Sequence, residues 1–178
     1  MLRKPLESTI VIEPLRVLDE EPGQFAFLGW KNLTIAVWTG LPDAAAIQRL
    51  ALVGDARIRE HGTLSDVHLV TGHIGLPDAE TRATLVSESR RAAGHLAAVG
   101  VVLGGSGFWA SAIRGFVTGV HVLLNAPFDF KIVGGLEELV EWLPAVHAQR
   151  TGVHVLPDDL RQLLRMAQRH GLPARYAS

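Results

Sequence analysis

The chain has 178 residues, a length that suits one domain able to bury a stable core, and it contains no cysteine, so disulfides and thiol chemistry are excluded. Lys and Arg total 17 against 18 Asp and Glu, a formal net charge of −1 with both signs scattered. That distribution lacks the clustered basic surface of a nucleic-acid binder, and no nucleic-acid partner is expected.

The first segment, MLRKPLESTIVIEP, reaches Glu7 and Glu13 before any sustained apolar run. It is not a secretory signal, and a cytoplasmic location is expected. Ser8 to Ile12, Leu15 to Leu18, Gln24 to Leu28 and Leu33 to Trp38 read as strands that pair as an antiparallel start to a sheet, with Glu21-Pro22-Gly23 as a turn. Leu-Pro-Asp then occurs at Leu41, Leu76 and Leu156, each time ahead of a helical pattern. Proline suits the first helical turn, where its missing N–H would be unpaired anyway, and the acid beside it complements the helix dipole. The first helix carries Ile47, Leu50, Ala51, Gly54 and Ile58 on one stripe, turns Arg49, Asp55, Arg57 and Glu60 away, and ends at His61-Gly62. Asp66 to Val70 is the next strand. A second helix runs to about Leu96, with Ala79, Ala83, Val86, Ala93 and Ala97 near one face.

Val99 to Leu103 is an apolar strand that meets a Gly104, Gly105, Gly107 turn before a helix opening at Phe108. The pattern repeats with Asp129 to Val133, Gly134-Gly135 and a helix over Leu136 to Ala148. Beyond Arg150-Thr151-Gly152, Leu160, Leu163, Leu164 and Ala167 line a terminal helix that docks on the body or on a second subunit. Leu96 to Ile113 is uncharged and contains Gly100-x-x-x-Gly104, but the glycine cluster and Arg114 favour a buried strand plus helix over a membrane span. The expected fold is α/β: a single-domain mixed sheet over residues 1–150, with antiparallel N-terminal strands, βα units and covering helices, and an accessory helical extension over 151–178.

This order of elements, with Trp38-Thr39-Gly40 before the first helix, Trp109 just after the Val-rich strand, and the ending Glu138 and Trp142-Leu143, resembles the SpoIIAA-like branch of the STAS superfamily. That is the anti-sigma-factor-antagonist fold, similar in outline to Sec14-type lipid-binding domains, and the resemblance covers roughly Gln24 to His147. It implies a non-enzymatic regulatory or protein-interaction module, often self-associating, that meets its partner through loops and helix starts at one end of the sheet. Phospho-regulated members carry Asp-Ser-Ser/Thr-Gly where this chain has Val70-Thr71-Gly72-His73-Ile74-Gly75. A phosphate on Thr71 would sit near a helix N-terminus, although a strand-ending Thr that bonds a turn is the simpler account.

The expected contact surface joins Gly105, Ser106, Gly107, Phe108 and Trp109 with Thr71 and its loop, in a homodimer that also meets a protein partner. The alternative is a carrier or sensor of a small apolar, lipid-like ligand held between the sheet and the helix starting at Phe108, lined by Phe108, Trp109 and Phe116. Trp30, Trp38, Trp109 and Trp142, with Phe108, Phe116, Phe128 and Phe130, form either one core or such a pocket. Gly115-x-x-x-Gly119 either leaves space beside them or lets two helices approach at a subunit interface. A third reading, a nucleotide-binding enzyme, rests on Gly105 to Ala110 fitting G-x-G-x-x-G/A, against which stand the bulk of Phe108 and Trp109 and the early position of Asp129. The histidines are dispersed and read as solvent-facing or singly satisfied. Asp66, Asp78, Glu80 and Glu88 are mostly accounted for by helix starts and exposed faces, and Ser106 does not complete G-x-S-x-G. No catalytic residue, metal or cofactor is expected.

Overall fold

The computed structural model describes residues 14–71, 75–104 and 108–170, and the Ser8 to Ile12 strand expected from the sequence lies outside them. One six-stranded sheet runs in chain order: β1 (Arg16–Glu21), β2 (Phe25–Trp30), β3 (Leu33–Trp38), β4 (Leu64–Val70), β5 (Leu96–Leu103) and β6 (Asp129–Val133). The first three strands pair antiparallel, and β3 through β6 pair parallel. The sheet is therefore mixed, as expected. A two-residue turn joins β2 to β3, with Trp30 paired to Leu33 and Lys31 at φ 47°.

Each parallel step needs a crossover helix: α1 (Ala44–His61) between β3 and β4, α2 (Ala79–Ala92) between β4 and β5, and α3 (Phe108–Leu124) between β5 and β6. Successive crossovers of one hand that advance a sheet in one direction lay their helices on one face. The opposite face is covered by the two helices after β6, α4 (Leu136–Thr151) and α5 (Pro157–Ala167). There Leu139, Val140, Leu143, Leu160, Leu163 and Leu164 pack on Leu28, Trp30, Ile35, Val67 and Val102, all buried. Close approach of α4 explains Gly100, because a Cβ there would come within 2.5 Å of Leu139 Cδ1.

Several expectations need correction. Pro157 does begin α5, but Pro42 and Pro77 precede their helices, and Asp43 and Asp78 are the caps, accepting from Ala46 N and Thr81 N at 2.8 Å each. An Asp side chain that satisfies an otherwise orphaned helix N–H stabilises the start more directly than the proline does. The second helix ends at Ala92, followed by a 3₁₀ turn at Ala93–His95, and β5 begins at Leu96. Ala79 and Ala83 are exposed, and Thr81 is the buried residue of α2. Arg57, expected to face away, is buried, donating to the Lys31 carbonyl and to Glu60 and so tying α1 to the β2–β3 turn. The terminal helix docks on the body: Leu160, Leu163, Leu164 and Ala167 belong to the main core, so α5 is no accessory. Among the described residues no helix is long and apolar enough to cross a membrane.

Candidate binding cavity

Strand β4 reads Leu-Ser-Asp-Val-His-Leu-Val. Ser65, Val67 and Leu69 are buried on the α4–α5 side, so the two-residue period of a strand turns Asp66, His68 and Val70 to the other face. Because β4 lies between β3 and β5 and helices cover both faces, these polar side chains lie under helices instead of meeting bulk water. Thr34 of β3 and Val99 of β5 pair with Asp66; Ala36 and Val101 pair with His68. From above, α3 contributes Ile113, Phe116, Val117, Val120, His121 and Leu124, a stripe at helical spacing, while Leu50, Gly54 and Ile58 come from α1 and Leu85 from α2. Between them lies a cavity of about 210 Å³. An apolar cavity of about 150 Å³ is enough to hold benzene.

The polar atoms in this apolar space are largely unmet. Trp38 Nε1–H donates to His68 Nδ1 at 3.1 Å, with the two rings parallel. That donor puts the imidazole proton on Nε2. Burial holds His68 down to about 4, so it is neutral at physiological pH. Burial likewise pushes the Asp66 carboxyl up to about 7, the nearby Thr34 hydroxyl opposing only part of the shift. Thr34 Oγ1, Asp66 Oδ1 and His121 Nδ1 find no partner in hydrogen-bonding geometry. The His121 ring stacks on Phe130, 4.4 Å between centroids. An unmet buried polar atom costs roughly 1–3 kcal/mol, so such atoms gathered around one space mark a place where water or a ligand completes the bonding.

A second buried polar cluster lies on the opposite face. His147 Nδ1 is 2.8 Å from Ser65 Oγ and His147 Nε2 is 2.8 Å from Asn32 Oδ1. Because an amide oxygen only accepts, Nε2 carries the proton and Nδ1 receives the Ser65 hydroxyl. Asn32 in turn donates to the Thr63 carbonyl at 3.2 Å. The set has the composition of a Ser-His-Asn triad, yet Ser65 and His147 are 0 % exposed, with no path for a substrate to the hydroxyl. Its role is to clamp α4 to β4 and to the β2–β3 turn. Burial, reinforced by the Lys31 charge, holds His147 down to about 4.

Of the residues singled out in the sequence, Phe116 lines the cavity. Phe108 does not: it is 92 % exposed at the start of α3. Thr71 N–H and Oγ1–H both donate to the Trp38 carbonyl, at 2.9 and 3.0 Å, which is the strand-ending, turn-bonding role. Gly105, Ser106, Gly107 and the side chain of Trp109 lie outside the described residues. The aromatic set divides between two faces: Trp30 is buried in the α4–α5 core with Trp142 against it, whereas Trp38, Phe128 and Phe130 line the cavity. Gly115 and Gly119 are exposed and turned away from the cavity, so they make no room beside the aromatics. The histidines read as solvent-facing or singly satisfied are not all so: His147 is buried between two partners, His68 has its one bond inside the cavity, and His121 lines the cavity with Nδ1 unmet. Asp78 is a cap as expected and Glu80 lies in the first turn, but Asp66 is internal, and Glu88 lines the cavity while pairing with Arg91. Asp129 pairs with Arg150 at 2.7 Å, which occupies the carboxylate a ribose would need. Among the described residues no group of three or more His, Cys, Asp or Glu side chains is arranged to hold a metal ion.

The alternation Asp66, His68 in β4 is the sequence signal for the cavity's polar floor. Polar residues on a strand with parallel neighbours on both sides have no solvent face to occupy.

No protein-family model matches the chain, and no curated protein matches its sequence.

Proposed function

We propose that this protein is a non-enzymatic carrier or sensor that binds a small, largely apolar molecule between the sheet and helices α1, α2 and α3. The observation that carries the reading is the cavity itself: aliphatic and aromatic walls from four strands and three helices, with a few convergent polar atoms that lack partners. The order of strands and crossover helices supports assignment to a SpoIIAA-like fold, whose outline includes lipid-binding relatives. Function by binding is proposed because the Ser65 and His147 pair is sealed inside the α4–α5 core. Native mass spectrometry of protein purified gently from its own host tests the proposal. The expected result is extra mass that leaves on denaturation. A bare polypeptide mass, together with failure to bind 2-phenylethanol added at millimolar concentration, would overturn it.

A second reading, a self-associating interaction module, is favoured by the outer face of α3. Phe108 (92 % exposed), Val122 (71 %) and the bare Gly115 and Gly119 leave an apolar helical surface uncovered. On that reading Phe108→Ala weakens association in sedimentation equilibrium while leaving the melting temperature unchanged. A monomer at every concentration would refute it.

A further inference from the structure

The cavity's charge is unbalanced. Among the described residues its lining includes three carboxylates, Asp55, Asp66 and Glu88, and one guanidinium, Arg91. Arg91 is committed at the rim, paired with both Asp55 and Glu88, which neutralises much of that end. Asp66, on the floor, has no ion-pair partner among the described residues, and its Oδ1 finds no hydrogen-bond partner there. Its neighbours cannot supply one. His68 is held neutral by burial and already accepts from Trp38. His121 is stacked on Phe130, and Thr34 offers a hydroxyl with no charge. A carboxylate facing an apolar space is stabilised most by a cation brought in by the occupant, because Coulomb attraction is strong where water is excluded.

We infer that the occupant is an amphiphilic amine: an apolar body of roughly phenylethyl size against Phe116, Val99, Val101 and Phe130, and a protonated amino group on the Asp66 carboxylate. An ammonium has three donors, and the hydroxyl of Thr34, at the paired position on β3, offers a further acceptor beside Asp66. A carboxylate-headed ligand is disfavoured by the same geometry, since it would meet Asp66 with like charge. An alcohol fills the same space without answering the charge. This inference rests on the cavity reading above and specifies the head group that reading leaves open.

The test compares three isosteric probes by isothermal titration calorimetry at pH 7.5: 2-phenylethylamine, 2-phenylethanol and phenylacetate. The amine is expected to bind about tenfold or more tighter than the alcohol, and phenylacetate weakest. Asp66→Asn, which keeps the side-chain shape, should reduce the amine's advantage over the alcohol to near unity. A second measurement does not depend on the variant. Titration of the wild-type protein in buffers of different ionisation enthalpy should show proton release on binding the amine and none on binding the alcohol, as the cation drives the Asp66 carboxyl to its charged form. Equal affinity for amine and alcohol, an advantage that survives Asp66→Asn, or the absence of proton release would each overturn the amine assignment while leaving the cavity reading intact. Failure of all three probes to bind would overturn both.

Discussion

Asp66 in the ligand-free protein is a cost that Asp66→Asn should relieve, and the pH dependence of the relief is specific. Burial raises this carboxyl from 3.8 to about 7, so the folded chain binds its proton more tightly than the unfolded chain does. Its contribution to stability is therefore fully present below 3.8 and is lost as pH rises through about 7. A displacement of that size corresponds to about 4 kcal/mol at about 1.4 kcal/mol per pKa unit. The side chain is partly open to the cavity, where entering water restores some hydration, and about half of that figure is a better expectation. Asparagine has nearly the same shape and no ionisation. The variant should therefore be about 2 kcal/mol more stable than wild type at pH 8.5, or about 4–8 °C in melting temperature for a chain of this length, with the gap shrinking to near zero towards pH 3.5. His68 and His147 act in the opposite direction. Both are held from 6.5 down to about 4, so below 6.5 the unfolded chain takes up protons that the folded chain refuses, and stability falls until about 4. Wild type and variant share this loss, so their difference isolates Asp66. Urea denaturation of both across pH 3.5 to 8.5 is the assay. A difference that does not vary with pH, or a variant less stable than wild type at pH 8.5, would refute the account of Asp66 as an unpaired carboxyl under the helices.

Removing the acceptor in the sealed cluster, Asn32→Ala, leaves the His147 Nε2–H unmet in a fully buried site and should cost about 2 kcal/mol, read as a lower urea midpoint at unchanged slope. Gly100→Ala drives a methyl towards Leu139 and should cost about 1–3 kcal/mol by overpacking, measured in the same way; a neutral result would mean that α4 does not approach β5 as closely as described. Asp43→Ala and Asp78→Ala each remove a helix cap and should cost about 1 kcal/mol, and as the caps sit on different helices the double variant should lose the sum. Thermal melts of the three proteins check both the size and the additivity.

Much of this fold is legible in the sequence because local and global signals agree. Leu33-Thr-Ile-Ala-Val-Trp38 and Asp129-Phe-Lys-Ile-Val133 are β-rich runs bounded by turn residues, and both strands begin and end where the sequence indicates. The second helix resists such reading because alanines recur at several spacings and mark no face, so the residues that meet the sheet side, Thr81 and Leu85, carry little periodic signal of their own. Arg57 departs from expectation because a charged residue on a polar helical stripe defaults to solvent, whereas here the carbonyl of Lys31 at the neighbouring hairpin receives it inside. The polar floor of the cavity is half visible: the alternation Asp66, His68 is there, but which face of β4 is wet depends on strand order, a property of the assembled sheet. The clamp of Ser65, Asn32 and His147 has no local signal, since Ser65 and Asn32 lie 82 and 115 residues from His147 along the chain.

The central claim is that the space between the sheet and α1, α2 and α3 receives a small molecule. A ¹H–¹⁵N correlation NMR titration of the ligand-free protein with 2-phenylethanol tests it most directly. The account predicts saturable shifts concentrated at Asp66, His68, Val99 and Val101 on the sheet and Phe116 to His121 on α3, with the α4–α5 core unmoved. Shifts that fail to saturate, or that gather on the exposed face around Phe108 and Val122 instead, would contradict it.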